Sequence, residues 1–288
     1  MVNSSIAQSL LTATERLRKS GVPGARREAG FLLAHILGQD RTFLITHAED
    51  LLGKPQLETF LEHVERRAMG EPTQYITGHQ EFFGLDFEVN QNVLIPRPET
   101  ELCVEIVLKL YPKSVTAPRI CDLGTGSGCL AIALLHQLED SEAVAIDISE
   151  AAIRVARRNA ERHGVTSRLD FLVSDCFAAV AKDERFDVIV SNPPYVSGDA
   201  LEGLQREVRD YEPLLALSPG GDGLLIIRRL LFESNNFLRR GGYLLIEIGF
   251  DQHKAVEQMI DRNIWRFLDI HQDLQGIPRT VLVQKISS

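Results

Sequence analysis

Residues 119–128 read RICDLGTGSG, a short apolar run that passes directly into glycines at positions 124, 126 and 128. Such a run predicts a buried strand, and the apolar segment behind the glycines predicts a helix. Glycines permit a tight turn and let a ligand lie against bare backbone, while the helix N-terminus presents free N–H groups. The stretch therefore predicts a ligand-binding loop between a strand and a helix. Because residues 126–131 also fit G-x-G-x-x-A, the loop alone leaves a dinucleotide open as its ligand.

The alternation of strand and helix continues towards the C-terminus. Strands are predicted at 119–123, 143–148, 169–173, 186–191, 242–248, 265–270 and 280–286. Helices are predicted near 128–138, 150–163, 223–238 and 252–262. This order predicts an α/β fold with an open, mostly parallel, seven-stranded sheet that helices cover on both faces. Ligands bind outside the carboxyl ends of the strands in such sheets, so we expect the site in the loops after the first four strands.

The chain before residue 96 has a different pattern. Residues 1–72 carry apolar residues at helical spacing in segments that stop at glycines, which predicts a small helical bundle that docks a partner or supports the fold. Residues 73–95 include an alternating apolar stretch at 83–89, which predicts a β-hairpin linking two domains. The α/β domain is expected to span 96–288.

A proline-rich break, Pro96-Arg97-Pro98, precedes a helix that is expected from Glu99 to Leu110. Two readings of Arg97 and Glu99 stay open. In the first, these residues line the ligand pocket or close it. In the second, they form the start of this helix.

Composition excludes several classes of protein. Of the 288 residues, 44% are hydrophobic and 25% are charged, close to the globular average. No apolar run reaches the ~18–20 residues of a membrane-spanning helix, and the amphipathic N-terminus is unlike a signal peptide. The four cysteines lack metal-binding spacing, so no metal is expected. Three of them lie in apolar surroundings, which fits reduced buried thiols of a cytoplasmic protein. The net charge of −9 argues against direct nucleic-acid binding.

Acidic residues follow the second and third predicted strands. Asp147 can accept hydrogen bonds from both hydroxyls of a ribose, because Ser149 is the better cap for the next helix and leaves Asp147 free. Asp175 can accept from the amino group of an adenine, and Phe177 or its neighbour Cys176 can pack on the base. Phe177 fits a plain core position almost as well. These residues predict a nucleoside site beside the glycine loop.

The fourth strand ends in Ser191-Asn192-Pro193-Pro194-Tyr195. Two successive prolines fix φ and remove two N–H donors, so the nearby carbonyl groups face a ligand without competition. The Asn192 side chain and the Pro193 carbonyl supply two acceptors, and Tyr195 supplies a flat aromatic face. Two acceptors below an aromatic ring suit a planar group that carries NH2. We therefore predict Asn192, Pro193 and Tyr195 as catalytic, with Pro194 completing the substrate-binding loop.

The segments DLGTGSG, AIDIS, SDCF and NPPY resemble those of S-adenosylmethionine-dependent methyltransferases that act on planar amino groups. With IPRPETE at 95–101, the preceding hairpin and the helical bundle, the chain resembles the HemK/PrmC family, the release factor glutamine N5-methyltransferases. The resemblance implies a Rossmann-like methyltransferase domain. It also implies methylation of the glutamine in the Gly-Gly-Gln motif of class 1 peptide chain release factors, with S-adenosylhomocysteine as product.

The resemblance also assigns cofactor contacts. Gly124 to Gly128 line the methionine and ribose part, and Asp147 holds the ribose. The full predicted cofactor set is Asp122, Gly124, Thr125, Gly126, Ser127, Gly128, Asp147, Asp175, Cys176, Phe177 and Asn192. One residue departs from the family pattern: Cys176 stands where the family often has tryptophan, which shifts the expected adenine packing to Phe177.

Other functions stay open from the residues alone. Adenine also presents a planar NH2, so an adenine-N6 methyltransferase of DNA or RNA would need the same loop. A glutamine methyltransferase of a ribosomal protein, a small-molecule methyltransferase and a non-catalytic scaffold are further alternatives. No His or Glu in these motifs demands the role of general base, so none is predicted.

Overall fold

The computed structural model describes residues 4–112 and 117–286. The chain divides into two compact units, the first formed by Met1–Gly78 with Gln205–Tyr211 and the second by His79–Leu204 with Glu212–Ser288. No helix within the described ranges is both long enough and apolar enough to cross a lipid bilayer.

Within these ranges the helices are α1 (Ile6–Lys19), α2 (Ala25–Leu37), α3 (Arg41–Thr46), α4 (Lys54–Ala68), α5 (Thr73–Thr77), α6 (Glu101–Leu110), α7 (Cys129–Gln137), α8 (Glu150–Arg162), α9 (Arg206–Tyr211), α10 (Leu214–Leu217), α11 (Leu225–Glu233) and α12 (His253–Met259). The strands are β1 (His79–Phe82), β2 (Leu85–Glu88), β3 (Arg119–Leu123), β4 (Glu142–Asp147), β5 (Leu169–Val173), β6 (Phe186–Ser191), β7 (Leu238–Glu247), β8 (Trp265–Gln272) and β9 (Pro278–Lys285).

The first unit is helical. Helix α1 begins where the Ser5 hydroxyl accepts a hydrogen bond from the Gln8 N–H, and α2 ends at Gly38 in the left-handed conformation. The core of the unit is apolar, with Leu17, Leu32 and Phe60 completely buried. Three helices of this unit differ from the sequence prediction: α3 and α9 were not predicted, and α5 occupies residues expected to belong to the hairpin. All three are too short to show a clear helical period.

The second unit contains the predicted seven-stranded sheet, in the order β5-β4-β3-β6-β7-β9-β8. The first five strands in this order are parallel, whereas β9 and β8 are antiparallel to their neighbours. The prediction of a mostly parallel sheet is confirmed. Strand β3 is third in this order, and the chain places β4 and β5 on one side of it and β6 and β7 on the other. This reversal of strand order is where open α/β sheets bind ligands.

Helices cover both faces of the sheet because successive strand residues point to opposite faces. On β3, Ile120 packs in a cluster with α6 and α7, while Cys121 packs in a second cluster with α11 and α12. Trp265 is buried in the second cluster, and its indole N–H donates to the Leu231 carbonyl at 3.0 Å.

Strands β1 and β2 form an antiparallel hairpin. Phe83 and Gly84 both have positive φ at its two-residue turn, the backbone conformation that matches the twist of paired strands. Phe82 and Phe87 are buried against the cluster formed with α6 and α7. The Asn159 side chain of α8 fixes the end of β2, since it accepts from the Glu88 N–H and donates to the Glu88 carbonyl.

Candidate active site

A cavity of about 370 Å³ opens at the carboxyl ends of the central strands of the second unit. Loops that follow β3, β4, β5 and β6 supply its walls, together with residues from 92–100 and from 213–226. Its volume is in the range of small-molecule sites. The predicted site residues that line it are Gly124, Thr125, Gly126, Ser127, Asp147, Asp175, Cys176, Asn192 and Pro194.

The glycine loop is fastened to the end of β4. The N–H groups of Gly124 and Thr125 both donate to the Ile146 carbonyl, at 2.8 and 2.9 Å, and the Gly126 N–H donates to Asp147 Oδ2 at 2.9 Å. Gly124 and Gly126 have φ of 76° and 56°, where a side chain would be strained. The loop therefore presents a bare and fixed backbone to the cavity.

Gly128 has a packing role and is not among the described residues that line the cavity. It precedes α7 with a φ of 83°. A Cβ at this position would lie 2.9 Å from Ile132 Cδ1 and 3.2 Å from Ala156 Cβ. Its glycine identity lets α7 and α8 approach each other closely, and its predicted cofactor contact stays a prediction.

Asp122 lies behind the glycine loop and off the cavity wall. It is completely buried, and its Oδ2 accepts from the Thr125 hydroxyl at 2.7 Å and from the Ala131 N–H at 3.2 Å. Burial raises the pKa of Asp122 to about 6. Its Oδ1 has no hydrogen-bond partner among the described residues. The geometry favours a role in shaping the loop over the direct cofactor contact expected from the sequence.

Asp147 faces the cavity at the end of β4. Each carboxylate oxygen accepts one backbone hydrogen bond, Oδ2 from Gly126 and Oδ1 from Ser149 at 2.8 Å. Each oxygen keeps a lone pair that a ribose hydroxyl can use. Burial raises the pKa of Asp147, and these backbone hydrogen bonds oppose the rise. Ser149 caps α8 through its hydroxyl, as predicted.

The structure separates the three residues predicted to contact adenine. Asp175 lines the cavity, but its Oδ1 accepts from Arg229 at 2.7 Å. Cys176 also lines the cavity and has a φ of 48°. Phe177 is buried and stacks on Phe237, with ring centroids 4.7 Å apart.

Of the two readings of Phe177, the structure therefore favours the core position over packing on the base. The left-handed turn at Cys176 directs the next side chain into the core under the sheet. Apolar side chains that the sequence analysis missed line the cavity instead, among them Ile148 and Ile226. Ile148 is 52% exposed although it directly follows a buried strand. Its place next to Asp147, the residue predicted to bind the ribose, was the sequence signal that could have identified it as a cavity residue.

The Asn-Pro-Pro-Tyr loop lies next to the glycine loop. The Ser191 hydroxyl donates to the Leu123 carbonyl at 2.7 Å, which ties the end of β6 to the end of β3. A Cβ on Gly124 would lie 3.8 Å from the Asn192 carbonyl oxygen. Pro193 is buried, and neither it nor Tyr195 is among the described residues on the cavity wall. Their catalytic roles stay predictions.

The backbone of this loop is braced from behind at Tyr195. The Gln252 side chain donates to the Tyr195 carbonyl at 2.9 Å and accepts from the Gly249 N–H at 2.9 Å. A Cβ on Gly223 would lie only 2.3 Å from the same carbonyl oxygen. Gly223 and Gln252 therefore fix the direction of the chain after the two prolines. Sequence reasoning missed both, because neither belongs to a motif.

A buried carboxylic acid lies beneath the Asn-Pro-Pro-Tyr loop. Glu247, at the end of β7, accepts from the Thr100 hydroxyl at 2.7 Å and from the Tyr195 hydroxyl at 3.2 Å. Thr100 in turn accepts from the Asn192 side-chain amide at 3.0 Å. Burial raises the pKa of Glu247 to about 7. A charged residue at the end of the apolar run GYLLIEI was the only sequence signal for this acid.

Arg97 and Glu99 have different surroundings. Arg97 lines the cavity and forms an ion pair with Glu212 at 2.6 Å, and Glu212 also accepts from the Ile95 N–H. Glu99 lies in the single 3-10 turn that leads into α6 and is not among the described cavity-lining residues. Of the two readings, Arg97 fits the cavity wall and Glu99 fits the helix start.

Known proteins with similar sequences and folds match most of the chain. Residues 8–78 match the PrmC N-terminal domain, and residues 100–271 match the methyltransferase small domain. The release factor glutamine methyltransferase of Koribacter versatilis is 40% identical over 98% of this chain and 99% of that protein. That of Geobacter sulfurreducens is 43% identical over 92% of this chain and 91% of that protein. A methyltransferase structure from Pyrococcus furiosus shares the fold, with a TM-score of 0.52 at 19% identity over 82% of this chain and 100% of that one.

Proposed function

The chain belongs to the family of release factor glutamine methyltransferases, and from this premise we propose its reaction. It transfers a methyl group from S-adenosylmethionine to the side-chain amide nitrogen of the glutamine in the Gly-Gly-Gln motif of class 1 peptide chain release factors. The observation that carries the proposal is the position of the Asn192 side chain. It lies on the wall of the cavity with its NH2 engaged by Thr100, so its oxygen is left for a substrate NH2.

The residues of the cavity fit S-adenosylmethionine as methyl donor. The glycine backbone offers a surface without side chains, and Asp147 keeps lone pairs for the two ribose hydroxyls. The Ser127 hydroxyl oxygen is buried on the cavity wall with no partner among the described residues, and a polar ligand group would satisfy it. Ile148 and Ile226 offer apolar surface for a base. The bound donor supplies an electrophilic methyl group on a sulfonium sulfur.

The task of the protein is to position a poor nucleophile. An amide nitrogen is weakly nucleophilic because its lone pair is delocalised into the carbonyl group. The Asn192 side-chain oxygen, which lines the cavity, would accept one N–H group, and the Pro193 carbonyl is predicted to accept the other although Pro193 itself does not line the cavity. Such acceptors would hold the nitrogen towards the donor methyl group and favour the positive charge that develops on it. Bound S-adenosylmethionine would supply the methyl carbon for the new nitrogen–carbon bond, and its sulfur would keep the electron pair of the carbon–sulfur bond that breaks.

The methylated nitrogen then loses a proton to solvent. An N-protonated amide is strongly acidic, so this step needs no dedicated general base. The pKa of Glu247 is raised to about 7, but this residue does not line the cavity. We therefore give it no role in accepting this proton.

We further propose that residues 1–72 dock the release factor, that the protein works in the cytoplasm and that it does not bind nucleic acid directly. The net charge of −9 supports the last point, because a phosphate backbone attracts basic surfaces. The four cysteines, all within the described ranges, are free and buried, which fits a reducing compartment.

The test is transfer of label from methyl-labelled S-adenosylmethionine to a purified class 1 release factor. We expect label on the parent factor and none on a factor whose Gly-Gly-Gln glutamine is replaced by alanine. Equal label on both factors would overturn the assignment of the glutamine. Adenine-containing duplex DNA and a ribosomal protein fraction serve as competing substrates, and preferential label on either would favour the corresponding alternative.

A further inference from the structure

The polar chain below Asn192 consists of groups that are almost completely removed from water. Thr100 is 2% exposed and Glu247 is 1% exposed. Thr100 Oγ1 donates to Glu247 Oε2 and accepts from Asn192 Nδ2, while the Tyr195 hydroxyl donates to Glu247 Oε1. Glu247 therefore accepts two hydrogen bonds, one from Thr100, which contacts Asn192, and one from Tyr195.

The direction of these hydrogen bonds follows from how many protons each group carries. A threonine hydroxyl has a single proton, and an ionised carboxylate can only accept. When that proton is given to Glu247, Thr100 can only accept from Asn192, so the asparagine must turn its NH2 towards Thr100. The Asn192 oxygen then faces the cavity, which is the orientation that a substrate NH2 requires.

Protonation of Glu247 reverses the chain. A carboxylic acid can donate to Thr100 Oγ1, which frees the threonine proton to donate to the Asn192 oxygen. The asparagine amide would then turn over and present its NH2 to the cavity. Two NH2 groups cannot hydrogen-bond each other productively, so the glutamine amide would lose an acceptor.

We propose that Glu247, acting through Thr100, is a positioning residue that sets the amide orientation of Asn192 for methyl transfer. The inference deepens the proposed function and rests on it for the identity of the substrate. Neither residue needs to touch the reacting atoms, since the effect reaches the substrate through the Asn192 side chain.

The surroundings of Glu247 permit it to change protonation near neutral pH. No described residue forms an ion pair with it, and Arg279 is engaged with Asp273 at 3.0 Å. Burial raises the pKa of Glu247 to about 7, a nearby Glu99 raises it further, and the Thr100 and Tyr195 hydrogen bonds and Arg279 oppose the rise. The titratable or charged groups that face it from the elements around it are Glu99, Cys103, Cys129, Tyr195 and Arg279. The thiols and the phenol have pKa values raised by burial, so they stay neutral through this range.

The activity should depend on the protonation state of Glu247. Glu247 is ionised above its pKa, so kcat should be full at alkaline pH and should fall as the pH decreases through about 7. Thr100→Val keeps the shape of the side chain and removes the hydroxyl. We expect it to lower kcat roughly 10- to 100-fold with little change in the dissociation constant of S-adenosylmethionine, and to flatten the acidic limb of the profile.

Thr100→Ser is the matched variant, because it retains the hydroxyl. It should keep kcat within about threefold of the parent and preserve the acidic limb. Glu247→Gln cannot ionise and should also lose that limb. Calorimetric binding of S-adenosylmethionine and the thermal midpoint show whether each variant is folded. A Thr100→Val enzyme that is folded, retains kcat and retains the acidic limb would overturn the proposal.

A readout without substrate separates this inference from the proposed function. In protein labelled with 15N-asparagine, the side-chain NH2 signals of Asn192 are assigned by their loss in Asn192→Ala. We expect these signals to shift with pH near 7 in the parent and to be insensitive to pH in this range in Glu247→Gln. A shift in the parent without methylation of the release factor would contradict only the proposed function. Signals that do not respond to pH in the parent would contradict the inference.

Discussion

Asn192 illustrates how a single residue receives its function from its neighbours. Its amide can adopt either of two orientations, and only one turns an acceptor towards the cavity. Its hydrogen bond to Thr100, which is 3.0 Å long, selects that orientation. The motif Asn-Pro-Pro-Tyr therefore indicates where the acceptor lies. Which way it points is decided by Thr100, 92 positions before Asn192, and by Glu247, 147 positions after Thr100.

The first residue-scale prediction concerns the loss of this acceptor. Asn192→Ala should lower kcat by roughly 10²–10³-fold, because one preorganised polar contact to the reacting group is removed. The measurement is methyl transfer to the release factor with saturating S-adenosylmethionine and protein shown to be folded. Asn263→Ala, in the turn before β8, is the control and should retain the parent rate. Normal turnover of Asn192→Ala would refute the assignment.

The second residue-scale prediction concerns Asp122. Its buried carboxyl group has a pKa of about 6 in place of its ordinary 3.8, so the folded protein binds more protons than the unfolded chain between these values. By linkage the free energy of unfolding therefore decreases as the pH rises from about 4 to 6, by roughly 3 kcal/mol for this group. Asp122→Asn removes the titration, so its stability relative to the parent should improve as the pH rises.

Urea unfolding at several pH values between 4 and 8 measures this difference. Asp199→Asn, at an exposed position, controls for the loss of one negative charge. If the stability difference between Asp122→Asn and the parent does not depend on pH, the raised pKa of Asp122 is contradicted.

At the scale of elements, the site depends on how closely loops approach one another. The loop at 217–223 supports the backbone that follows the two prolines: the Val196 N–H donates to the Leu217 carbonyl, and the Gly198 N–H donates to the Gly221 carbonyl, each at 3.0 Å. The Ser218 hydroxyl adds a hydrogen bond of 2.6 Å to the Val196 carbonyl. These hydrogen bonds join the segment after the two prolines to the loop at 217–223, although neither segment is a strand.

A prediction at this scale compares two glycines of that loop. Both Gly221 and Gly223 have positive φ, but only a Cβ on Gly223 meets the Tyr195 carbonyl oxygen, at 2.3 Å, while open space surrounds Gly221. Gly223→Ala should displace the catalytic loop and lower kcat/KM by roughly tenfold or more, since misplacement by about 1 Å costs up to 10²-fold. Gly221→Ala should have a much smaller effect, limited to backbone strain.

Steady-state methyl transfer is measured for both variants, with circular dichroism to confirm folding. The comparison separates the clash with the Tyr195 carbonyl, which only Gly223→Ala has, from the backbone strain that both variants share. Equal losses in the two variants would mean that the close approach at Tyr195 does not matter for activity.

At the scale of the whole molecule, the chain returns to its first unit late in the sequence. Helix α9 belongs to that unit with Met1–Gly78, although it follows the Asn-Pro-Pro-Tyr loop in the sequence. Arg67 of α4 holds this arrangement together: it is buried and pairs with Glu28 of α2 at 3.1 Å and with Glu207 of α9 at 2.5 Å. A third hydrogen bond goes to the Glu71 carbonyl at 3.2 Å.

The prediction at this scale is that Arg67→Met destabilises the protein strongly. Removal of the guanidinium leaves Glu28 and Glu207 without their buried partner, which typically costs about 3–5 kcal/mol. Arg16→Met is the matched control, because Arg16 and Glu65 form an exposed ion pair of similar geometry, and exposed pairs contribute little. Denaturant unfolding of both variants measures the contrast, and similar losses of stability would contradict the importance of burial.

The sequence by itself determined the features that are written in local patterns. Strand-and-helix periodicity predicted the seven strands and the cavity at their carboxyl ends, and glycine and proline chemistry identified the loops at 124–128 and 192–195. Only the tertiary structure decided that Phe177 packs in the core, that Asp122 shapes the loop from behind, and that Thr100 and Glu247 orient Asn192. Periodicity and turn chemistry depend on neighbouring residues, whereas the direction of a buried side chain depends on elements that meet only after the chain has folded.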